Sequence, residues 1–159
     1  MIADAPGPVY PWPIGVGPRY QPAALRRDGR PVGGLRCASG RTFAVHVELF
    51  ANRRVVIVPR GIGIGPAGGC AYPTSTTEPT GVVHVRGRRR LGDLFRVWGR
   101  LLGPRRLLSF AGRVSVFVGG RPFAGDPRRV PLTRHAQIVV EVGGHVAPHP
   151  SYLFPKGVG

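Results

Sequence analysis

Between residues 82 and 102 the spacing of apolar side chains changes from every second residue to every third or fourth. A fold built from one kind of element cannot hold both halves. Val83 and Val85 alternate with Val82, His84 and Arg86, the period of a strand whose two faces differ. From Leu91 the apolar positions become Leu91, Leu94, Phe95, Trp98, Leu101 and Leu102, with Asp93, Arg96 and Arg100 facing away. This pattern predicts an amphipathic helix over 91–102, stopped by Gly103-Pro104. Asp93 suits its first turn and Arg100 its last, each complementing the helix dipole. A basic bend, Gly87 to Arg90, joins strand to helix.

The strands around this junction are short and cleanly patterned. Phe43, Val45, Val47, Leu49 and Ala51 share one face of a strand, and Ala44, His46, Glu48 and Phe50 the other. Asn52-Arg53 then turns the chain into Val55-Val56-Ile57-Val58, a hairpin ended by Pro59. Val114, Val116 and Val118 alternate before Gly119-Gly120, and Ile138, Val140 and Val142 before Gly143-Gly144. With 25 Gly and 18 Pro in 159 residues, turns are frequent and strands brief. The order strand, strand, strand, helix, strand, strand predicts an α+β fold, a β-grasp-like roll. It has an antiparallel or mixed sheet of about five strands with one amphipathic helix on one face. An all-β sandwich or barrel with an incidental helix is the alternative.

The length fits one domain. Residues 1–36 read as a Pro-rich extended arm, because Pro6, Pro8, Pro11, Pro13, Pro18 and Pro22 exclude helix and central strand. Tyr10, Trp12 and Tyr20 among them suit an arm laid along its own domain. Residues 37–144 form the core domain, and 145–159 a second extended arm. No stretch approaches the ~20 apolar residues of a transmembrane helix. The opening residues carry neither the basic nor the apolar region of a signal peptide, so the default location is cytoplasmic.

Few chemical motifs are complete in this chain. Gly63, Gly65 and Gly68 spell GxGxxG after a strand, but Gly69-Cys70-Ala71-Tyr72-Pro73 cannot open the helix that would hold a pyrophosphate. A tight connection is the reading. Ser75-Thr76-Thr77-Glu78 has the form of a capping box, yet Pro79 and Gly81 stand where the helix would run. No nucleophile elbow, Cys-His pair or phosphate loop is present, and the seven acids are mostly isolated. No catalytic residue is assigned, and a non-catalytic binding or interaction domain is the expectation.

Charge supplies a second reading. Lys and Arg number 23 against 7 Asp and Glu, a formal net charge of +16, and one of the 23 is lysine. Such a field attracts polyanions, with binding that weakens as salt rises. Arg86, Arg88, Arg89, Arg90, Arg96 and Arg100 would form one stripe along the bend and outer helix face, with a nucleic acid as the natural partner. A plain solvated charged face is the alternative.

Several of these segments together resemble a family of uncharacterised, often exported bacterial proteins. The similarity spans residues 33–144. It rests on Gly34-Leu35-Arg36-Cys37, Phe43-Ala44-Val45-His46, Val58-Pro59-Arg60-Gly61-Ile62-Gly63-Ile64, Cys70, and Thr80-Gly81-Val82-Val83-His84-Val85. Leu91-Gly92-Asp93-Leu94-Phe95 with Trp98-Gly99, and Leu132, His135 and Ile138, complete it. That family has a His-Thr-His-Asp turn where this chain has Ser75, Thr77 and Glu78, so the chain is a divergent member without those histidines. The resemblance implies a degenerate or altered metal site. His46, His84 and His135 remain as ligands for zinc or copper, with Glu48 and Glu78 as oxygen donors. It also implies a disulfide between Cys37 and Cys70, with free thiols as the alternative. That bond would place the chain in an oxidising, exported setting, against the default above.

Overall fold

The computed structural model describes residues 32–65 and 69–159. Most of the Pro-rich arm, and Gly68 of the glycine pattern, lie outside the described residues. The main sheet is mixed and has seven strands. β1 (Phe43–Ala51), β2 (Arg54–Val56), β3 (Thr74–Ser75) and β4 (Val82–Val85) come before the helix. β5 (Arg89–Arg90) leads directly into helix α1 (Leu91–Trp98). β6 (Leu102–Gly103), β7 (Arg106–Leu107) and β8 (Phe110–Ala111) follow. β9 (Val114–Val118), β10 (Arg121–Pro122), β11 (Pro131–Leu132) and β12 (Gln137–Val142) complete the order.

The sheet runs β10-β9-β12-β1-β4-β3, with β2 paired to the far end of β1. Its centre is a parallel pair, β1 beside β12, in register from His46 opposite Gln137 to Ala51 opposite Val142. The other pairings are antiparallel. Asn52 and Arg53 both have positive φ, 51° and 64°, as a two-residue hairpin requires. The predicted hairpin therefore forms, although β2 is three residues long.

The core lies between the sheet and α1. Val45, Val47, Leu49, Val83, Val85, Ile138 and Val140 meet Leu91, Leu94, Phe95, Val97 and Trp98 there, all nearly inaccessible to water. Each such large side chain contributes roughly 1.5–3 kcal/mol by leaving water. The helix stops four residues before the predicted end. Gly99 takes a left-handed conformation, φ 77°, and its N–H donates to Phe95 and Arg96 carbonyls, a glycine C-cap. Leu101 and Leu102 continue the helical spacing in sequence only. Leu102 is buried in β6, and Leu101 is 65% exposed.

The opposite sheet face is also covered. Tyr152 packs against Ala44 and Val82, with Phe154 and Val158 alongside. The C-terminal arm thus lies across the outer face of β1 and β4. No helix among the described residues is long and apolar enough to cross a membrane.

Candidate anion-binding groove

Two places gather chemically capable side chains: the outer sheet face and the surface around α1. Strand alternation sends Ala44, His46 and Glu48 to the outer face, as expected. His46 is buried there, with Gln137 Oε1 2.6 Å from Nδ1 and the Thr80 carbonyl 2.9 Å from Nε2. Burial lowers its pKa, against the opposing pull of the Gln137 hydrogen bond and the Glu48 charge. The ring is therefore neutral near pH 7 and carries one N–H. A carbonyl can only accept, so Nε2 holds the proton and Nδ1 must receive one. Turning the Gln137 carboxamide supplies it from Nε2, a buried amide nitrogen with no other partner among the described residues.

The other two predicted ligands have partners of their own, although His84, on β4, stands opposite Ala44, diagonal to His46 on the same sheet face. His84, half-buried and with its pKa lowered by burial, has Nε2 3.3 Å from Thr77 Oγ1. His135 is exposed, at φ 59°, with its ring stacked on Phe154 and Nε2 3.3 Å from the Val158 carbonyl. Glu48 faces His149 at 2.8 Å, and Glu141 faces His145 at 2.6 Å. Among the described residues no three of His, Cys, Asp and Glu come together as metal ligands do. The donor set also fits poorly: both His46 nitrogens are engaged, and the neighbouring 74–77 turn offers hydroxyls, which are poor metal ligands.

The 74–81 turn is closed around those hydroxyls. Thr74, Ser75 and Thr76 are buried. Thr76 Oγ1 donates to the Pro59 carbonyl at 2.6 Å and accepts from Ile62 N at 3.0 Å. Glu78 points to solvent. Cys37 and Cys70 form the disulfide, the alternative of free thiols being overturned. Arg86, predicted as part of the stripe, braces this bond's surroundings instead. Its guanidinium donates to the carbonyls of Ala38 (3.0 Å), Ala71 (3.1 Å) and Arg36 (3.2 Å).

The remaining arginines of the stripe do gather. β5 pairs with β11, Leu91 N donates to the Val130 carbonyl at 2.8 Å, and a 3-10 turn at Pro127–Arg129 is thereby held against α1. Gly92 permits the approach, since a Cβ there would stand 3.0 Å from the Arg128 carbonyl oxygen. Between these elements lies a groove of about 600 Å³, lined by Arg90, Arg96, Arg100, Arg128 and Arg129. Phe95, Leu101 and Leu102 also contribute to its walls. A second groove of about 460 Å³, lined by Arg88, Arg89, Arg90 and Pro131–Leu132, shares Arg90 with the first.

Two carboxylates offset part of this charge. Asp93 pairs with Arg96 at 3.3 Å, and Asp126 with Arg128 at 2.6 Å. The Arg128 hydrogen bonds hold the Asp126 carboxyl below its usual range. Arg90, Arg100 and Arg129 line the groove as exposed cations whose guanidinium groups form no ion pair among the described residues, although Asp93 Oδ2 accepts from the Arg90 backbone N–H at 2.8 Å and the Arg129 charge helps hold the Asp126 carboxyl down. Arg128 and Arg129 are the groove-lining residues that sequence reading missed. The available signal was Asp126-Pro127, whose carboxylate accepts from Arg128 N at 2.9 Å and so opens the turn. Comparison of the chain with family models, curated proteins and solved structures finds no match.

Proposed function

We propose that this chain is a non-catalytic binding domain that holds a polyanion, a nucleic acid, along the arginine surface from Arg88 to Arg129. One observation carries the reading. Three separate elements, β5, α1 with its following residues, and the 127–129 turn, deliver five arginines to one groove that holds two carboxylates. Packed guanidinium groups repel one another unless an anion enters, and a groove focuses their field. Guanidinium forks also suit phosphate oxygens, which they bind through paired N–H donors.

The scaffold suits the task. A central parallel pair, β1 and β12, flanked by β4 and β9 and crossed on one face by α1, supports a β-grasp-like description. The disulfide supports action in an oxidising compartment.

Fluorescence anisotropy with labelled duplexes of unrelated sequence tests the reading. The expected result is sequence-independent binding whose log K falls linearly with log salt, with a slope of about −0.9 per phosphate neutralised. Absence of binding at low salt overturns it.

A further inference from the structure

Resting on the reading above, we infer that the groove takes double-stranded DNA specifically, with Leu101 inserted into the minor groove as an apolar wedge. Leu101 and Leu153 are the large hydrophobic side chains exposed among the described residues, at 65% and 53%. Leu101 lines the arginine groove, next to Arg100. Its position is fixed by the backbone. After the left-handed cap at Gly99, Arg100 N donates to the Phe95 carbonyl at 3.0 Å, and the Leu101 carbonyl accepts from Leu108 N at 2.8 Å. Leu102 then pairs with Leu107 and is buried. In an extended chain, neighbours point to opposite sides, so burying Leu102 presents Leu101 to the groove.

A phosphate chain alone offers nothing to an exposed leucine, whereas a duplex offers its stacked base pairs. Proteins that read the minor groove combine arginine with an apolar wedge that parts one base step and bends the duplex. Single-strand binders instead stack bases on exposed aromatic rings. The aromatic side chain of this groove, Phe95, is 2% exposed, so no stacking platform is offered. Arg90, Arg100 and Arg129 supply the phosphate attraction around the wedge.

The test uses the full chain with an end-labelled DNA duplex of about 20–30 bp, reading affinity by anisotropy and bending by energy transfer between the ends. The wild-type protein binds and shortens the end-to-end distance. Leu101→Ala still binds with the same salt slope, but loses the bend and about tenfold in affinity, while Leu101→Met keeps both. RNA duplexes and single strands bind more weakly than DNA duplex. A Leu101→Ala protein that binds and bends as wild type overturns the wedge alone. An equal preference for single strands overturns the duplex assignment, and no binding to any nucleic acid removes the underlying reading as well. Thermal melts of both variants matching wild type confirm that losses are local, as expected for an exposed side chain.

Discussion

The imidazole of His46 lies flat against the ring of Tyr152, centroids 3.6 Å apart and planes 8° from parallel. Through this stack the C-terminal arm shuts the central strand's outer face from water, and burial makes His46 hard to protonate. The sign of the consequence follows from linkage. Above the unfolded value of 6.5, both folded and unfolded chains hold the ring neutral and pH has no effect through it. Below 6.5 the unfolded chain takes up a proton that the folded chain resists, so stability falls as pH drops towards the folded pKa. His84, lowered by burial alone, acts in the same direction. Thermal melts from about pH 8 to about pH 5 will show the midpoint dropping, and His46→Gln will flatten that slope.

The Cys37–Cys70 disulfide joins positions 33 residues apart, at a Cα separation of 5.5 Å. In the chain-entropy account such a closure stabilises by about 3–4 kcal/mol, chiefly by restricting the unfolded chain. For a domain of this size, replacing both cysteines with alanine lowers the melting point by roughly 6–16 °C. Calorimetry on the double variant, beside intact mass before and after reduction and alkylation, checks both the bond and its weight.

Gly63 illustrates why the glycine pattern exists. Its φ is +66°, and an added Cβ would collide with the Thr74 carbonyl oxygen and stand 2.9 Å from Val97 Cγ1. The residue lets the 61–65 connection lie against the buried 74–76 turn and the helix, a packing role. Gly63→Ala should cost at least about 2 kcal/mol, combining backbone strain and overpacking. Gly34→Ala is the control: φ is +83° with open space around it, so only the strain applies, about 1 kcal/mol. Chemical denaturation of the two variants separates the contributions.

The longer elements were legible because their periodicity had room to show. Phe43–Ala51 repeats its alternation over nine residues, and Asn52-Arg53 carries the turn chemistry that sets the hairpin. Two-residue strands such as Thr74–Ser75 or Leu102–Gly103 have no period to read, and tertiary pairing alone creates them. The helix end was misplaced because Leu101 and Leu102 extend its spacing by coincidence, while the stop signal was a single glycine. Residue type placed His46 and Glu48 on the correct face, but not Tyr152 above them, because the arm's docking depends on contacts over a hundred residues apart. Arg128 and Arg129 join Arg100 through packing of the 127–129 turn on α1, a tertiary contact that no local pattern announces.

Arg86 and Arg129 take opposite roles, and substitution separates them. Arg86 spends its guanidinium on three backbone carbonyls around the disulfide, and the Gly40 backbone lies so close that a Cβ there would stand 2.9 Å from Arg86 Cδ. Removing this brace deletes three charge-assisted hydrogen bonds, while the Ala38 and Ala71 carbonyls keep each other's backbone N–H, so Arg86→Ala lowers stability by about 1–2 kcal/mol. Arg129 is exposed at the groove wall and holds up nothing, so Arg129→Ala leaves the melting point unchanged. On polyanion binding the order reverses. Arg129→Ala weakens binding and reduces the salt slope by about one phosphate's share, whereas Arg86→Ala, measured well below its melting point, binds as wild type. Melting and salt-dependent anisotropy on both variants decide it. Equal losses of binding would mean the protein's net charge acts at a distance and the groove has no special part. A loss confined to Arg129 ties binding to the place where β5, α1 and the 127–129 turn meet.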